Sequence, residues 1–214
     1  MTKQTFNHIA RWYDIVAQVV FLGAIKKSQI NNLQSIDTAK SVLVIGGGTG
    51  WIINEIWQQN PNINITYIDQ SSKMIQMAQR RSLEGDVIFH NKDYLDTVTD
   101  QTYDTIICNF FLDVFTEKDL ETVVQKMKRQ LNPDGKILFT DFVAGKNHHL
   151  IKRSLIKTMY WFFKCTNALS NTTLPNYYTA FLRANLDYTD EKKYFYNMIS
   201  SRVYKSNGTN RIIY

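Results

Sequence analysis

Apolar residues recur along residues 4–34 at the spacing of one helix face. They lie three or four positions apart, at Phe6, Ile9, Trp12, Tyr13, Val16, Val19 and Val20. This spacing is typical of an amphipathic helix. The sequence therefore predicts helical structure over residues 4–34, before a different pattern begins near residue 41.

Five short apolar runs follow, and each is continuous rather than alternating. They read SVLVIG, INITYID, DVIFH, YDTIICNFF and KILFTDF. Continuous runs are typical of strands that are covered on both faces. Helical patterns lie between them at 50–59, 71–83 and 116–131, with Ser71 and Thr116 placed as N-caps. The order predicts an α/β fold, an open and mostly parallel Rossmann-like sheet with helices on both faces.

The pattern changes again after Phe142. Residues 146–165 predict a long helix, residues 177–185 a short one, and the tail predicts two strands joined by a hairpin about Asn197 at the sheet edge. The sheet should then have seven strands, with an antiparallel final strand. We expect one domain, with a helical lid (1–38), a cofactor-binding core (39–145) and an acceptor-binding cap (146–214).

Composition and charge narrow the class of protein. The 214 residues include two cysteines, Cys108 and Cys165, too few for a disulfide framework. No secretory signal or membrane span is evident, so a cytoplasmic location is expected. Residues 146–214 hold 11 Lys/Arg and 3 Asp/Glu, a net charge of +8. That basic third could be a solvated surface, or it could contact an anionic membrane.

A glycine cluster follows the first predicted strand. Glycines at 46, 47, 48 and 50 allow a ligand to approach the backbone, and the next helix N-terminus favours an anionic group. A dinucleotide fingerprint that starts at Gly46 would need a third glycine where Trp51 stands. The spacing is instead G-x-G-x-G, which turns the prediction away from dinucleotides.

Polar groups end the next strands. Asp69, followed by Gln70, ends the second strand 19 residues after Gly50, where a carboxylate can accept hydrogen bonds from both ribose hydroxyls. Asp93 and Tyr94 follow the third strand, and Asn109 and Phe110 end the fourth. Together these residues suit an adenosine.

These stretches resemble the successive motifs of class I S-adenosylmethionine-dependent methyltransferases. The matching segments are VLVIGGGTG, ITYIDQSSKMIQMA, NKDYLD, YDTIICNFFLDVF and LNPDGKILFTDF. FNHIARWYDIVA is also similar to the N-terminal segment of ubiquinone/menaquinone-biosynthesis-like small-molecule methyltransferases. The resemblance covers roughly residues 5–145 and implies S-adenosylmethionine as the cofactor.

The resemblance also implies roles for single residues. Gly46, Gly47, Gly48 and Gly50 would wrap the methionine part of the cofactor, and Asp69 with Gln70 would bind its ribose. Asp93 and Tyr94 would lie at its adenine, Asn109 and Phe110 would border its methionine and methyl group, and Tyr13 would close over it. One position departs from the family: Val44 stands where an acidic residue usually helps to hold the cofactor's amino group. Backbone carbonyls, water or another carboxylate, such as Asp113, would then hold that group.

The expected reaction is methyl transfer to a small-molecule acceptor, aromatic or lipid-like, of quinone or phenol type. No metal is expected. His148, His149 and Asp113 are the candidates for a base, and Asp141 also lies near a strand end. The oligomeric state stays open.

Three other readings were weighed. Tyr160 and Lys164 form a Y-x-x-x-K pair, as in short-chain dehydrogenases, but the glycine spacing is wrong and Asn147 stands where a serine is needed. A nucleic-acid methyltransferase is suggested by the basic tail, yet NFFL lacks the prolines of enzymes that methylate base amino groups. A non-catalytic S-adenosylmethionine-binding protein would account for Val44.

Overall fold

A computed structural model describes residues 23–82, 86–143 and 175–206. In them, seven strands form one sheet in the order β3-β2-β1-β4-β5-β7-β6. Their bounds are β1 Ser41–Ile45, β2 Asn64–Ile68, β3 Val87–His90, β4 Tyr103–Asn109, β5 Leu131–Phe142, β6 Leu186–Tyr194 and β7 Ile199–Ser206. Strands β1 to β5 pair in parallel, and β7 runs antiparallel to both of its neighbours. The predicted fold class is confirmed.

Five helices belong to the described residues. They are α1 Ala24–Ile30, α2 Trp51–Gln59, α3 Ser72–Arg81, α4 Glu117–Arg129 and α5 Tyr177–Arg183, with 3-10 turns at Leu33–Ile36 and Leu112–Val114. The Ser71 side chain accepts a hydrogen bond from Met74 N at 3.3 Å, and Thr116 accepts one from Asp119 N at 3.2 Å. Both predicted N-caps are therefore confirmed, and each satisfies a backbone N–H that the helix leaves unpaired.

Two apolar layers cover the two faces of the sheet. One layer includes Leu43, Ile106 and Phe139 with residues of α4 and α5. The other includes Val42, Val44 and Tyr67 with residues of α2 and α3. Burial of both faces explains why the sequence shows continuous apolar runs in the central strands. No helix in the described ranges is long and apolar enough to cross a membrane.

The C-terminal strands form the predicted hairpin. β6 pairs with β7 through Tyr194 and Ile199, and the turn residues Phe195, Tyr196 and Asn197 all have positive φ. β7 in turn pairs with β5 from Phe142 to Lys136. The hairpin thereby extends the sheet beyond β5 and encloses that strand.

One strand boundary differs from the prediction. β5 begins at Leu131 rather than at Lys136, because Leu131 pairs with Tyr103 before the register shifts near residue 105. The NPDG segment is therefore an irregularity within the strand. Of the helical structure predicted over 4–34, the part from residue 23 is described, and it contains α1 Ala24–Ile30. The remainder of that range and the predicted helix over 146–165 lie outside the described residues.

Candidate functional site: the carboxyl edge of the sheet

The site lies at the edge where β1, β2 and β4 end. β1 lies between β2 and β4. From β1, the strands β2 and β3 extend the sheet to one side, and β4 and β5 extend it to the other. Open α/β sheets bind ligands at such a switch point, outside the carboxyl ends of the strands. Residues 46–50 form the turn from β1 into α2.

Tyr67 supports the glycine turn from below. A Cβ on Gly47 would lie 2.3 Å from the Tyr67 ring, so this close approach requires glycine. The Tyr67 hydroxyl donates to the Gly48 carbonyl oxygen at 3.1 Å. Val44 is the register partner of Tyr67 on the same face, and both side chains are buried. The side chains beneath the turn are thus apolar apart from the Tyr67 hydroxyl, which bonds to the turn itself.

Asp69 lies directly beside the turn. Its Oδ2 accepts a hydrogen bond from Gly48 N at 2.9 Å, and its Oδ1 accepts one from Ser71 N at 2.8 Å. Burial raises the pKa of the Asp69 carboxyl to about 6, although both N–H bonds favour the charged form. The side chain is half-buried, as is that of Gln70. The ends of β1 and β2 are therefore joined by the hydrogen bond between Gly48 and Asp69.

Asp93 and Tyr94 are separated in space by the way their loop folds. Asp93 is half-buried and accepts from Leu95 N at 2.9 Å. The Tyr94 ring is 2% exposed, and its hydroxyl donates to Gln130 Oε1 at 2.5 Å. Tyr94 therefore faces the core beneath the loop rather than the cleft, and we leave it out of the residues proposed to contact a ligand.

The end of β4 is held in an unusual conformation. Phe110 has φ of 49°, which is rare for a bulky residue, and its N–H donates to Thr140 O at 2.7 Å. The Phe110 ring packs on Phe142 with the centroids 4.9 Å apart. Asn109 Nδ2 donates to Gln29 Oε1 of α1 at 3.3 Å. Such conformations cluster at binding sites, and here one directs the chain away from the sheet at the cleft.

Two buried carboxyls lie near the ends of β4 and β5, one in the 3-10 turn after β4 and one in β5 itself. Asp141 is fully buried, and its oxygens accept from Leu112 N at 3.2 Å and Phe142 N at 2.8 Å. Asp113 is 9% exposed, and its Oδ1 has no hydrogen-bond partner among the described residues. Sequence reasoning noted both residues separately. Their pairing follows from the parallel neighbours β4 and β5, which bring residues 28 positions apart to one place.

Comparison with known proteins identifies the domain. Residues 42–135 match a family model described as "Methyltransferase domain". The chain carries a class I methyltransferase domain. The malonyl-[acyl-carrier protein] O-methyltransferase of Priestia megaterium is 31% identical over 147 residues, which cover 68% of this chain and 52% of that protein. The demethylmenaquinone methyltransferase of Thermotoga maritima is 25% identical over 144 residues, which cover 64% of this chain and 60% of that protein.

This methyltransferase domain also has close structural neighbours. Human N-acetylserotonin methyltransferase, in complex with SAM, superposes with a TM-score of 0.69 at 14% identity, covering 96% of this chain and 57% of that one. The N-methyltransferase NodS of Bradyrhizobium japonicum, with S-adenosyl-L-homocysteine, gives 0.62 at 15% identity, covering 85% and 87%. The fold and family are confirmed, and with them S-adenosylmethionine as the cofactor of the class. The chain spans about half the length of the first of these curated relatives.

Three predicted site residues, Tyr13, His148 and His149, lie outside the described residues. Gly46 and Gly50 lie in the turn with Gly48. Sequence reasoning missed Tyr67, which stands two residues before Asp69 inside an apolar strand. A polar hydroxyl on an otherwise apolar strand was the available signal.

Proposed function

We propose that this protein transfers a methyl group from S-adenosylmethionine to the hydroxyl of a small, neutral acceptor of phenol or hydroquinone type. The observation that carries the cofactor half of the proposal is the pairing of Asp69 with Gly48 at the switch point of the sheet, at 2.9 Å. The acceptor half rests on the two carboxyls, Asp113 and Asp141, at the ends of β4 and β5.

The residues at the switch point fit the cofactor. A Cβ on Gly48 would meet no atom of the described residues within 4 Å, so the backbone here borders open space in that part of the chain. Asp69 can exchange its bond to Gly48 N for two ribose hydroxyls. Gly46, Gly47 and Gly50 would complete the wall around the methionine part, with Asp93 and Gln70 at the nucleoside end and Asn109 with Phe110 toward the methyl group.

The residues of this chain would orient the cofactor and the methyl acceptor and would exclude water from them. When bound, the cofactor supplies a sulfonium methyl group that is already activated for transfer. The rigid turn, backed by Tyr67, and the fixed end of β4 would hold the two reactants in line, which lowers the entropic part of the barrier. A proton acceptor is needed as well if the acceptor reacts as an alkoxide or phenoxide.

The buried carboxyls favour a neutral acceptor. A carboxylate substrate would be repelled by negative charge at the ends of β4 and β5. No described lysine or arginine forms an ion pair with Asp113 or Asp141 that would offset that charge. A phenol or hydroquinone instead brings a proton that a carboxylate can take. The demethylmenaquinone methyltransferase relative is named for an acceptor with a quinone-type ring, which supports the ring class of the acceptor and not the methylated atom.

A malonyl thioester is the second candidate acceptor. It is supported by the names of the relatives from Priestia megaterium and Acetivibrio thermocellus, at 31% and 32% identity. The net charge of +8 in residues 146–214 would also suit an anionic acceptor. Methyl transfer to 4-methoxyphenol and to a malonyl thioester, measured side by side by product mass, separates the two. Cofactor binding without transfer to either would favour a non-catalytic binding protein.

Replacing Asp69 with alanine should weaken S-adenosylmethionine binding by about 1–3 kcal/mol, the cost of losing hydrogen bonds to a charged group. Calorimetric titration of the purified protein measures this directly. Asp134 is the matched control, because this exposed aspartate lies near the start of β5, away from the edge where β1 and β2 end. Asp134→Ala should bind like the unmodified protein, and equal affinity in Asp69→Ala would remove Asp69 from the site.

Cofactor binding should also depend on pH. Ribose hydroxyls donate hydrogen bonds to the charged form of Asp69, whose pKa in the free protein is about 6. Affinity should therefore be constant above that pH and fall by about tenfold per unit well below it. Titrations across this range should show the fall in the unmodified protein and lose it in Asp69→Asn. A pH-independent affinity in the unmodified protein would contradict the assigned contact.

A further inference from the structure

Asp113 and Asp141 form a buried carboxyl pair between β4 and β5. Asp141 is the second-last residue of β5, and it pairs with Ser200 of β7. Its carboxyl accepts backbone hydrogen bonds from Leu112, Asp113 and Phe142. Asp113 lies in the 3-10 turn that follows β4, and its carboxyl accepts from its own N–H and that of Val114. Backbone N–H groups of the 3-10 turn Leu112–Val114 therefore bond to both side chains.

The position of the two carboxyls favours a shared proton. Burial raises the pKa of Asp113 to about 6, and burial together with the charge of Asp113 raises that of Asp141 well above its usual range. Two adjacent carboxyls in a low-dielectric site share a proton because both cannot be charged together. The neighbouring titratable group is the Cys108 thiol, which burial keeps in its neutral form. Burial and the closeness of the two carboxyls therefore favour a single negative charge on the pair over two.

The two members of the pair are not equivalent. Asp141 is fully buried, and both of its oxygens are engaged by backbone N–H groups. Asp113 is 9% exposed as a residue, and its Oδ1 is a buried atom with no hydrogen-bond partner among the described residues. An unsatisfied buried oxygen is costly, so its retention calls for a ligand group or a proton. It lies four residues beyond Asn109, on the loop that borders the cleft.

We propose that Asp113 accepts the hydroxyl proton of the methyl acceptor and that Asp141 positions it and shares its proton. This inference rests on the proposed function. The acceptor oxygen forms a bond to the methyl carbon while the carbon–sulfur bond breaks and its electron pair stays on sulfur. The hydroxyl proton passes to Asp113 Oδ1, so that the pair becomes doubly protonated and neutral. Release of that proton to water restores the singly charged pair.

The activity test uses phenols of graded acidity, from 4-methoxyphenol to 4-nitrophenol. Asp113→Asn keeps the shape of the side chain and removes its basicity. It should lower kcat for 4-methoxyphenol by about 10²–10⁴-fold, the usual contribution of a general base. The loss should shrink toward 4-nitrophenol, which is already largely ionised. Glu117→Gln, an exposed carboxyl at the start of α4, is the control and should react like the unmodified protein.

A second readout does not depend on turnover. Both raised pKa values mean that the native state binds protons more tightly than the unfolded chain. The stability from this source is full below about pH 4 and is lost as pH rises through the native values. Asp113→Asn removes the repulsion, so urea unfolding should show the variant gaining stability relative to the unmodified protein as pH rises. Glu117→Gln should show no such trend.

The outcomes separate the two proposals. If the unmodified protein methylates none of the phenols, the proposed phenolic acceptor is overturned, and the proton-transfer role falls with it. If it methylates them and Asp113→Asn retains full kcat across the series, the role of Asp113 alone is overturned. An unfolding difference that is independent of pH would overturn the shared proton. A graded loss of kcat together with a pH-dependent stability gain supports the inference.

Discussion

Replacing Gly50 with alanine should destabilise the native fold by about 2–5 kcal/mol, which combines the cost of a left-handed backbone with that of overpacking. Gly50 has φ of 82° and stands immediately before α2. Its Cβ would lie 2.5 Å from the Cα of Ala78 on α3. Relief would require α3 to move, because the obstacle is backbone rather than a flexible side chain. Urea unfolding of the variant and the unmodified protein measures the difference.

Gly48→Ala is the matched control in the same turn. Gly48 also has a positive φ, 65°, but its Cβ would meet no atom within 4 Å in the described part of the chain. Its stability cost should therefore be limited to the backbone, about 1–2 kcal/mol, while the added methyl group enters the space proposed for the cofactor. We expect a folded protein with weakened cofactor binding. Equal stability of the two variants would contradict the contact between α2 and α3 at Gly50.

The sheet could be predicted because its central strands are buried on both faces. Val42, Leu43 and Val44 point to alternate sides of β1, yet all are buried, so the run is apolar throughout. The starts of α3 and α4 could be predicted because the hydroxyls of Ser71 and Thr116 can accept a hydrogen bond from a backbone N–H of the first helical turn. The hairpin was predictable from β-branched and aromatic content, since β6 and β7 lie toward the edge of the sheet.

The loop after β3 could not be predicted at the level of side chains. Asp93 and Tyr94 are adjacent in sequence, and the sequence predicts a ligand contact for both. Lys126 of α4 donates to the carbonyl oxygens of Tyr94, Leu95 and Thr97. This contact across about 30 residues draws the loop onto α4, and the Tyr94 ring consequently enters the core. The sequence around Asp93 and Tyr94 does not indicate the contact with Lys126, because that residue lies about 30 positions away.

For the carboxyl pair too, the sequence predicts the place in the fold but not the direction of the side chains. The ends of β4 and β5 were recognisable as site positions, because parallel strands present their carboxyl ends to one edge. The conformation of the 3-10 turn Leu112–Val114 decides that Asp113 turns toward Asp141 rather than into solvent. Tyr67 and Val44 illustrate a third case. Their register pairing puts an apolar layer under the glycine turn, and the hydroxyl that reaches Gly48 O is visible only in the fold.

Replacing Phe139 with alanine should cost about 3–5 kcal/mol of stability, the usual range for a buried phenylalanine. Phe139 lies in β5 and is fully buried. Its ring contacts Tyr177 and Phe181 of α5, with centroids 5.1 and 5.5 Å away, and Tyr204 of β7 at 6.0 Å. Truncation would leave a cavity among three aromatic rings, which cannot close without moving α5 or β7.

The control for Phe139→Ala is Tyr178→Ala, an aromatic truncation on the outer side of α5. Tyr178 is 44% exposed and contacts Tyr188 with centroids 6.0 Å apart. The Tyr178→Ala substitution should lower the free energy of unfolding by less than about 1 kcal/mol. Because Phe139 stands two residues before Asp141, loosening of β5 should also disturb the carboxyl pair, so Phe139→Ala should lower kcat for 4-methoxyphenol where Tyr178→Ala does not. Equal unfolding midpoints for the two variants would show that the aromatic cluster does not hold α5 and β7 to β5.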